Sequence, residues 1–249
     1  MTPKDRLIVA LDVPTVAEAL TIIRETNEYV GWYKVGLELI AAQQATQVIE
    51  QVRFYGCKVF YDIKLNDIPT TIGKSVRAVA DKVDMINVHC TAGLAGMEAA
   101  VEAAGERCLV AAVTVLTSFD HDSLKPLRFD LNGHYTDEDA VGALVCDFAR
   151  LARKAGVTAL ICSPKDIRYL QAEELAGAFR KITPGVRPKW AAADDQKRIL
   201  TPRQALEGGS DLLVVGRPIT NPPAVVVAGR CEAARLVLEE MTAAYSSAE

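Results

Sequence analysis

The sequence predicts an α/β protein closed into a (β/α)8 barrel, and three observations carry that expectation. Eight short, β-rich apolar runs alternate with eight helix-like stretches across 249 residues, the count and size of such a barrel. The runs are apolar almost without a break, as strands of a parallel sheet covered on both faces have to be. No G-x-G-x-x-G follows the first run, which makes a doubly wound open sheet the weaker alternative. No low-complexity tract or linker divides the chain, so residues 1–249 are expected to form one domain.

The elements follow in order. Leu7–Leu11 reads as the first strand; Asp12 interrupts it at once and no small-residue cleavage pattern follows, so it is not read as a signal peptide. Amphipathic Val16–Asn27 supplies the first helix, Trp32–Val35 the second strand and Glu38–Gln51 the second helix. Val59–Ile63 is the third strand. Beyond it Asp67 is available as an N-cap, and Ile68-Pro69 opens a helix over Ile68–Lys82 with proline in its first turn. Met85–His89, Leu109–Leu116, Ala159–Ile161, Lys181–Thr183 and Leu212–Val215 complete the strands. Their helices are Gly93–Ala104, Asp137–Ala155, Lys165–Phe179, Thr201–Glu207 and Pro222–Tyr245. Two connections are long and polar. The first, 117–136, is expected to carry turns or a short helix; the second, 184–200, follows strand seven and is a candidate lid.

Composition excludes several classes of function. With 50% hydrophobic and 24% charged residues the chain has ample core and is not disordered. A net charge of −4 gives no nucleic-acid surface and no attraction to an anionic membrane. Purely apolar stretches stop far short of the ~20 residues that a membrane helix needs. The six cysteines lack a C-x-x-C pair and mostly adjoin apolar segments, which points to reduced thiols in a cytoplasmic protein. His89, His121 and His134 show no paired-ligand spacing, so no metal site is expected.

The chemistry concentrates in Asp62-Ile63-Lys64-Leu65-Asn66-Asp67-Ile68-Pro69, directly after the apolar run Val59-Phe60-Tyr61. Residues i and i+2 of a strand share a face, so Asp62 and Lys64 should project together, with Asp67 close by where the strand gives way. Barrel active sites lie at the C-terminal ends of strands. Those ends carry Asp12, Lys34, Asp62 with Lys64, His89 and Thr117-Ser118, then Gly185-Val186-Arg187 and Gly216-Arg217. Two lysines and three acids at one mouth would perturb one another's ionisation and mark a functional site. The glycine–arginine pairs follow strands seven and eight, where barrels often hold phosphate: glycine lets backbone N–H groups approach the anion, and an arginine fork matches its oxygens. A phosphorylated small molecule with its reactive end toward Lys64 is the substrate class this arrangement suggests.

With those residues in view the chain resembles the orotidine 5′-phosphate decarboxylase family over nearly its whole length. The matching segments are Val-Ala-Leu-Asp at 9–12, Tyr-Lys-Val-Gly at 33–36, Phe-Tyr-Asp-Ile-Lys-Leu-Asn-Asp-Ile-Pro-Thr-Thr at 60–71 and Asn-Val-His at 87–89. Leu-Thr-Ser at 116–118, Thr-Pro-Gly-Val-Arg at 183–187, Asp-Asp-Gln-Lys-Arg at 194–198 and Val-Val-Gly-Arg-Pro-Ile at 214–219 continue the series. The resemblance implies a homodimer that makes UMP from orotidine 5′-monophosphate in pyrimidine biosynthesis, with neither metal nor organic cofactor. It implies a charged catalytic array of Lys34, Asp62, Lys64 and Asp67, with Lys64 protonating C6. Asp67 and Thr71 would reach the partner's site, and Asp12 would bind ribose. Thr117, with Ser118 beside it, would meet the pyrimidine, and Arg187, Gln196, Gly216 and Arg217 the phosphate. The family commonly follows Leu-Thr-Ser with a short acidic helix and a glycine; here Phe119-Asp120-His121-Asp122 leads into a longer segment with Arg128, Asn132 and His134.

Three rival readings are weaker. A sugar-phosphate decarboxylase such as the 3-keto-L-gulonate 6-phosphate enzyme shares the D-x-K-x-x-D strand. Those enzymes bind Mg2+ and carry a glutamate where this chain has Lys34, whose ammonium would repel the ion. A Schiff-base aldolase would need a neutral Lys64, which flanking carboxylates oppose. A non-catalytic phosphate binder need not keep all four charged positions.

Overall fold

Parallel pairing runs unbroken around the sheet. Strands β1 (Leu7–Leu11), β2 (Trp32–Gly36), β3 (Lys58–Leu65), β4 (Met85–His89), β5 (Leu109–Val113), β6 (Ala159–Ile161), β7 (Arg180–Thr183) and β8 (Leu212–Val215) close as a barrel in sequence order. The closing pair sets Leu7 against Leu213 and Val9 against Val215. This computed structural model describes residues 1–127, 140–191, 200–225 and 227–245. Around the barrel lie helices α1 (Val16–Thr26), α2 (Leu37–Ala41), α3 (Ala45–Phe54), α4 (Pro69–Val79), α5 (Gly93–Ala104) and α6 (His121–Leu124). They continue with α7 (Ala140–Lys154), α8 (Ile167–Ala172), α9 (Pro202–Glu207), α10 (Arg217–Thr220) and α11 (Arg230–Ala243). No helix among the described residues is long and apolar enough to cross a membrane.

The core has two compartments. One fills the barrel with Ile8, Ala10, Trp32, Phe60, Met85, Val113, Ile161, Ile182, Leu212 and Val214 among others; the second, larger, lies between sheet and helices. Because strand side chains alternate faces, the inward set of each strand continues from bottom to top. On β1 the inward residues are Ile8 and Ala10, and Asp12 extends that row; on β2 Trp32 leads to Lys34; on β3 Phe60 leads to Asp62; on β4 Met85 leads to Asn87. The barrel interior therefore changes from apolar to charged along its axis. That gradient places the site.

Several boundaries depart from the sequence expectation for local reasons. β5 ends at Val113 rather than Leu116, because Thr114 turns both its N–H and its hydroxyl to the Ile161 carbonyl, each at 3.1 Å. The stretch Glu38–Gln51 is two helices, α2 and α3, broken at Gln43, which adopts φ 59°. Lys165–Phe179 resolves into a 3₁₀ turn Pro164–Asp166 capped by Ser163, then α8, then a second 3₁₀ turn Ala176–Ala178. Among the described residues of Pro222–Tyr245 only Arg230–Ala243 is helical: Pro222 and Pro223 remove two backbone donors, and Gly229 adopts φ 142° directly before the helix. The N-cap of α4 is Ile68 rather than Asp67, with Pro69 in the first turn as expected; the Asp67 carboxylate accepts from the Ile68 N–H at 2.7 Å. Five of the cysteines are buried and Cys231 is exposed; all are free thiols.

The seat of β2 against α1 is polar as well as apolar. Tyr33 faces the helices and is fully buried, and its hydroxyl lies 2.7 Å from the Thr26 hydroxyl, which itself donates to the Ile22 carbonyl at 2.7 Å. Tyr33→Phe should cost about 1 kcal/mol of stability by leaving the Thr26 oxygen short of a donor. Urea titration is expected to show a lower midpoint at unchanged slope.

Candidate active site

Four of the predicted charges form one chain across the barrel mouth. Lys34 Nζ sits 2.8 Å from Asp12 Oδ1 and 2.9 Å from Asp62 Oδ2, and Lys64 Nζ sits 2.7 Å from Asp62 Oδ1. Signs alternate, Asp12–Lys34–Asp62–Lys64. The β2–β3 register brings this about by pairing Lys34 with Phe60 and Gly36 with Asp62. Asp12 does not cap α1, a role taken by Thr15, which accepts from the Glu18 N–H at 3.2 Å. Nor does Lys34 reach out to solvent, since it is buried among the carboxylates.

Gly36 makes room for that pairing. A Cβ at this position would lie 2.6 Å from Asp12 Oδ1 and 3.1 Å from Lys34 Nζ, although the backbone there is ordinary and extended. The glycine is required by the two charged side chains above it.

The electrostatics follow from burial and proximity. Burial opposes the charge on Asp62 most strongly of any single influence, yet the Lys34 and Lys64 ammonium groups overcome it and hold the carboxyl at about 2. Burial likewise pulls Lys34 down, and Asp62 and Asp12 together more than offset it, leaving its pKa above that of an ordinary lysine. His89, half-buried on the next strand, is pushed below the usual histidine value by burial first and by Lys64 second.

Lys64 does not reach Asp62 through a regular strand. It adopts φ 53°, in the left-handed region that side chains with a Cβ disfavour, and β3 bulges against β4 between Tyr61 and Leu65. Asn87 stands opposite. Its Nδ2 donates to Asp62 Oδ1 at 2.6 Å, and its Oδ1 accepts the Lys64 N–H at 2.7 Å. Along the chain Asn87 stands out only as part of Asn-Val-His at 87–89; an amide in the middle of an apolar strand is the signal that marks it.

The array opens into a cavity of about 510 Å³, within the range of small-molecule pockets. Asp12, Lys34, Asp62, Lys64, Thr117, Gly185, Arg187, Gly216 and Arg217 all line it. Gly185 adopts φ 79°, a conformation suited to glycine, and the neck of the 184–200 connection is closed there: Val186 bridges Leu200, whose carbonyl accepts from the Arg187 N–H at 2.9 Å. Three predicted residues lie elsewhere. Asp67 and Thr71 are exposed beyond the end of β3, and Ser118 is exposed outside the lining. Gln196 lies outside the described residues, as do Asp194, Asp195, Lys197, Arg198, Arg128, Asn132 and His134. Among the described residues no group of three or more His, Cys, Asp or Glu side chains is placed to hold a metal ion.

A closed eightfold barrel with a charged, cavity-lining array at the C-terminal strand ends is the architecture of a (β/α)8-barrel enzyme. The chain belongs to the orotidine 5′-phosphate decarboxylase / HUMPS family, whose sequence profile matches residues 5–230. It is 42% identical over 250 residues to an orotidine 5′-phosphate decarboxylase of Heliobacterium modesticaldum, covering 97% of both chains. A Moorella thermoacetica protein of the same name is 39% identical over 245 residues, covering 95% of this chain and 94% of the relative. Among solved structures, the orotidine 5′-phosphate decarboxylase of Lactobacillus acidophilus superposes with a TM-score of 0.75 at 29% identity, over 94% of this chain and 98% of the other.

The depressed Asp62 pKa makes a stability prediction. A carboxylate held below its unfolded value of about 4 contributes stability above that pH and loses it as pH falls towards the folded value. The stability difference between wild type and Asp62→Asn should therefore shrink as pH is lowered from about 4 to about 2. Denaturant titrations across that window test it, and a gap independent of pH would contradict the assignment.

Proposed function

We propose that this chain, acting as one barrel unit over residues 1–249, decarboxylates orotidine 5′-monophosphate to UMP in the cytoplasm without metal or organic cofactor. The alternating Asp12–Lys34–Asp62–Lys64 array inside the cavity carries this reading. Breaking the bond from C6 to the carboxylate releases CO2 and leaves the electron pair on C6, with no cofactor to receive it. A preorganised ammonium meets that charge at little reorganisation cost, and more strongly in a partly dry site than in water. Lys64, 30% exposed and hydrogen-bonded to Asp62, has the proton and the access to deliver it to C6. Asp62 beside the substrate carboxylate disfavours the bound ground state. Asp12 binds ribose, and Thr117, with Ser118 beside it, meets the pyrimidine.

The phosphate goes to the part of the cavity lined from the ends of β7 and β8. Gly185, Arg187, Gly216 and Arg217 line it there, and the family resemblance adds Gln196 to the phosphate contacts. Binding energy at this remote end holds the nucleotide against the charged array. Asp67 and Thr71 act in the partner's cavity of a homodimer. Their exposure supports this, as do the apolar Ile68 and Leu37, 66% and 51% exposed at the ends of the adjacent strands β3 and β2.

The family also contains enzymes of other substrates, and Lys34 favours the nucleotide reading over a Mg2+-dependent sugar-phosphate reaction. Its ammonium, 2.9 Å from Asp62, would repel a divalent cation beside that carboxylate and offers it no oxygen ligand.

Orotidine 5′-monophosphate should be consumed to UMP, followed by ultraviolet absorbance, at a rate unaffected by EDTA. Turnover that EDTA abolishes and Mg2+ restores would move the assignment to the sugar-phosphate branch. Lys64→Ala should cut kcat by roughly 10³-fold or more while the protein still binds UMP. Arg217→Ala should mainly raise KM, by roughly 10- to 100-fold, with a smaller loss in kcat. Gly36→Ala should lower both turnover and stability, because its Cβ would displace the paired Asp12 carboxylate and crowd the buried Lys34 ammonium.

A further inference from the structure

The bulge in β3 has a single counterpart on β4. Tyr61 pairs with Ile86 and Leu65 pairs with Val88, so residues 62–64 of one strand face Asn87 alone on the other. A surplus of residues on one strand interrupts the ladder and leaves backbone groups to be satisfied by other means. Here the Asn87 side chain satisfies one of them, the Lys64 N–H. It is 1% exposed, and its amide orientation is dictated by its partners: the Lys64 N–H needs an acceptor and the Asp62 carboxylate needs a donor.

We infer that Asn87 is a positioning residue for the reaction, holding the Lys64 backbone in its left-handed conformation while fixing the rotamer of Asp62. The inference rests on the decarboxylase reading, in which these two groups are the proton donor and its anionic partner. A residue with a Cβ at φ 53° costs about 1–2 kcal/mol relative to the common backbone regions. Without the bond at 2.7 Å from its N–H, Lys64 loses the backbone contact that offsets this cost. Its ammonium would then leave the point reached by the developing carbanion. Loss of the 2.6 Å bond removes one of the three donors that fix the Asp62 carboxylate. One buried amide thus couples the placement of both charges, although it does not itself line the cavity.

Asn87→Leu keeps the volume and apolar packing of the side chain and removes both hydrogen bonds. If Asn87 positions the array, kcat for orotidine 5′-monophosphate should fall by roughly 10- to 100-fold, the cost of a misplacement near 1 Å. KM and UMP affinity, governed by the phosphate end, should change little. A crystal structure of the variant should show Lys64 out of the left-handed region or Asp62 rotated away from it. A normal kcat, or a reduced kcat with both groups unmoved, overturns the inference. Should Asn87→Leu not fold, Asn87→Asp carries the test: it still accepts from the Lys64 N–H but sets a second carboxyl against Asp62, so kcat should fall, and a normal kcat again overturns the inference. Wild-type protein without turnover refutes the activity reading instead, and the crystal structure then decides the geometric role of Asn87 by itself.

Discussion

The buried carboxylate of Asp62 is the constraint around which this barrel mouth is arranged. A carboxylate removed from water is costly unless its oxygens are met by donors, and a lone one would take up a proton. Asp62 is met by three: Lys34 on one oxygen, Lys64 and Asn87 on the other. Each donor comes from a different place in the fold. Lys34 arrives from β2 through the parallel register, Asn87 from β4 across the bulge, and Lys64 from β3 itself through a strained backbone. Removing any one would leave a buried charge undercompensated. Ionisation, strand register and backbone conformation are therefore tied together at this residue.

The rest of the molecule supports that arrangement by keeping polar groups at one end. The inward rows of β1 to β4 begin with Ile8, Trp32, Phe60 and Met85 and end in Asp12, Lys34, Asp62 and Asn87. The apolar half packs the barrel and holds the strands in register. The charged half opens into the cavity. The ends of β7 and β8 line the same cavity with glycines and arginines instead of carboxylates.

Periodicity and local chemistry made much of this legible in the chain alone. Eight apolar runs in 249 residues imply the closed barrel, and the expected strands Leu7–Leu11, Met85–His89, Ala159–Ile161 and Leu212–Val215 coincide with β1, β4, β6 and β8. The acids and lysines at the strand ends were recognisable because charge directly after a buried run has few structural uses. Helix boundaries were less legible. Gln43 and Glu174 break helical stretches by adopting positive φ without being glycine, and no propensity marks such positions.

What the sequence by itself determined is therefore the fold and the identity of the charges, since both follow from short-range pattern: period-two apolar rows, glycines beside arginines, and D-x-K-x-x-D. What only the tertiary structure decided is who pairs with whom. Asp12 could have capped α1 and Lys34 could have extended to solvent; the parallel register instead buries both beside Asp62. Asp67, adjacent in sequence, is left outside the cluster and exposed. Asn87 acquires its place because a three-residue excursion of β3 happens opposite it, 25 positions from Asp62 along the chain. Pairings of that kind depend on contacts between distant segments, and those exist only once the barrel has closed.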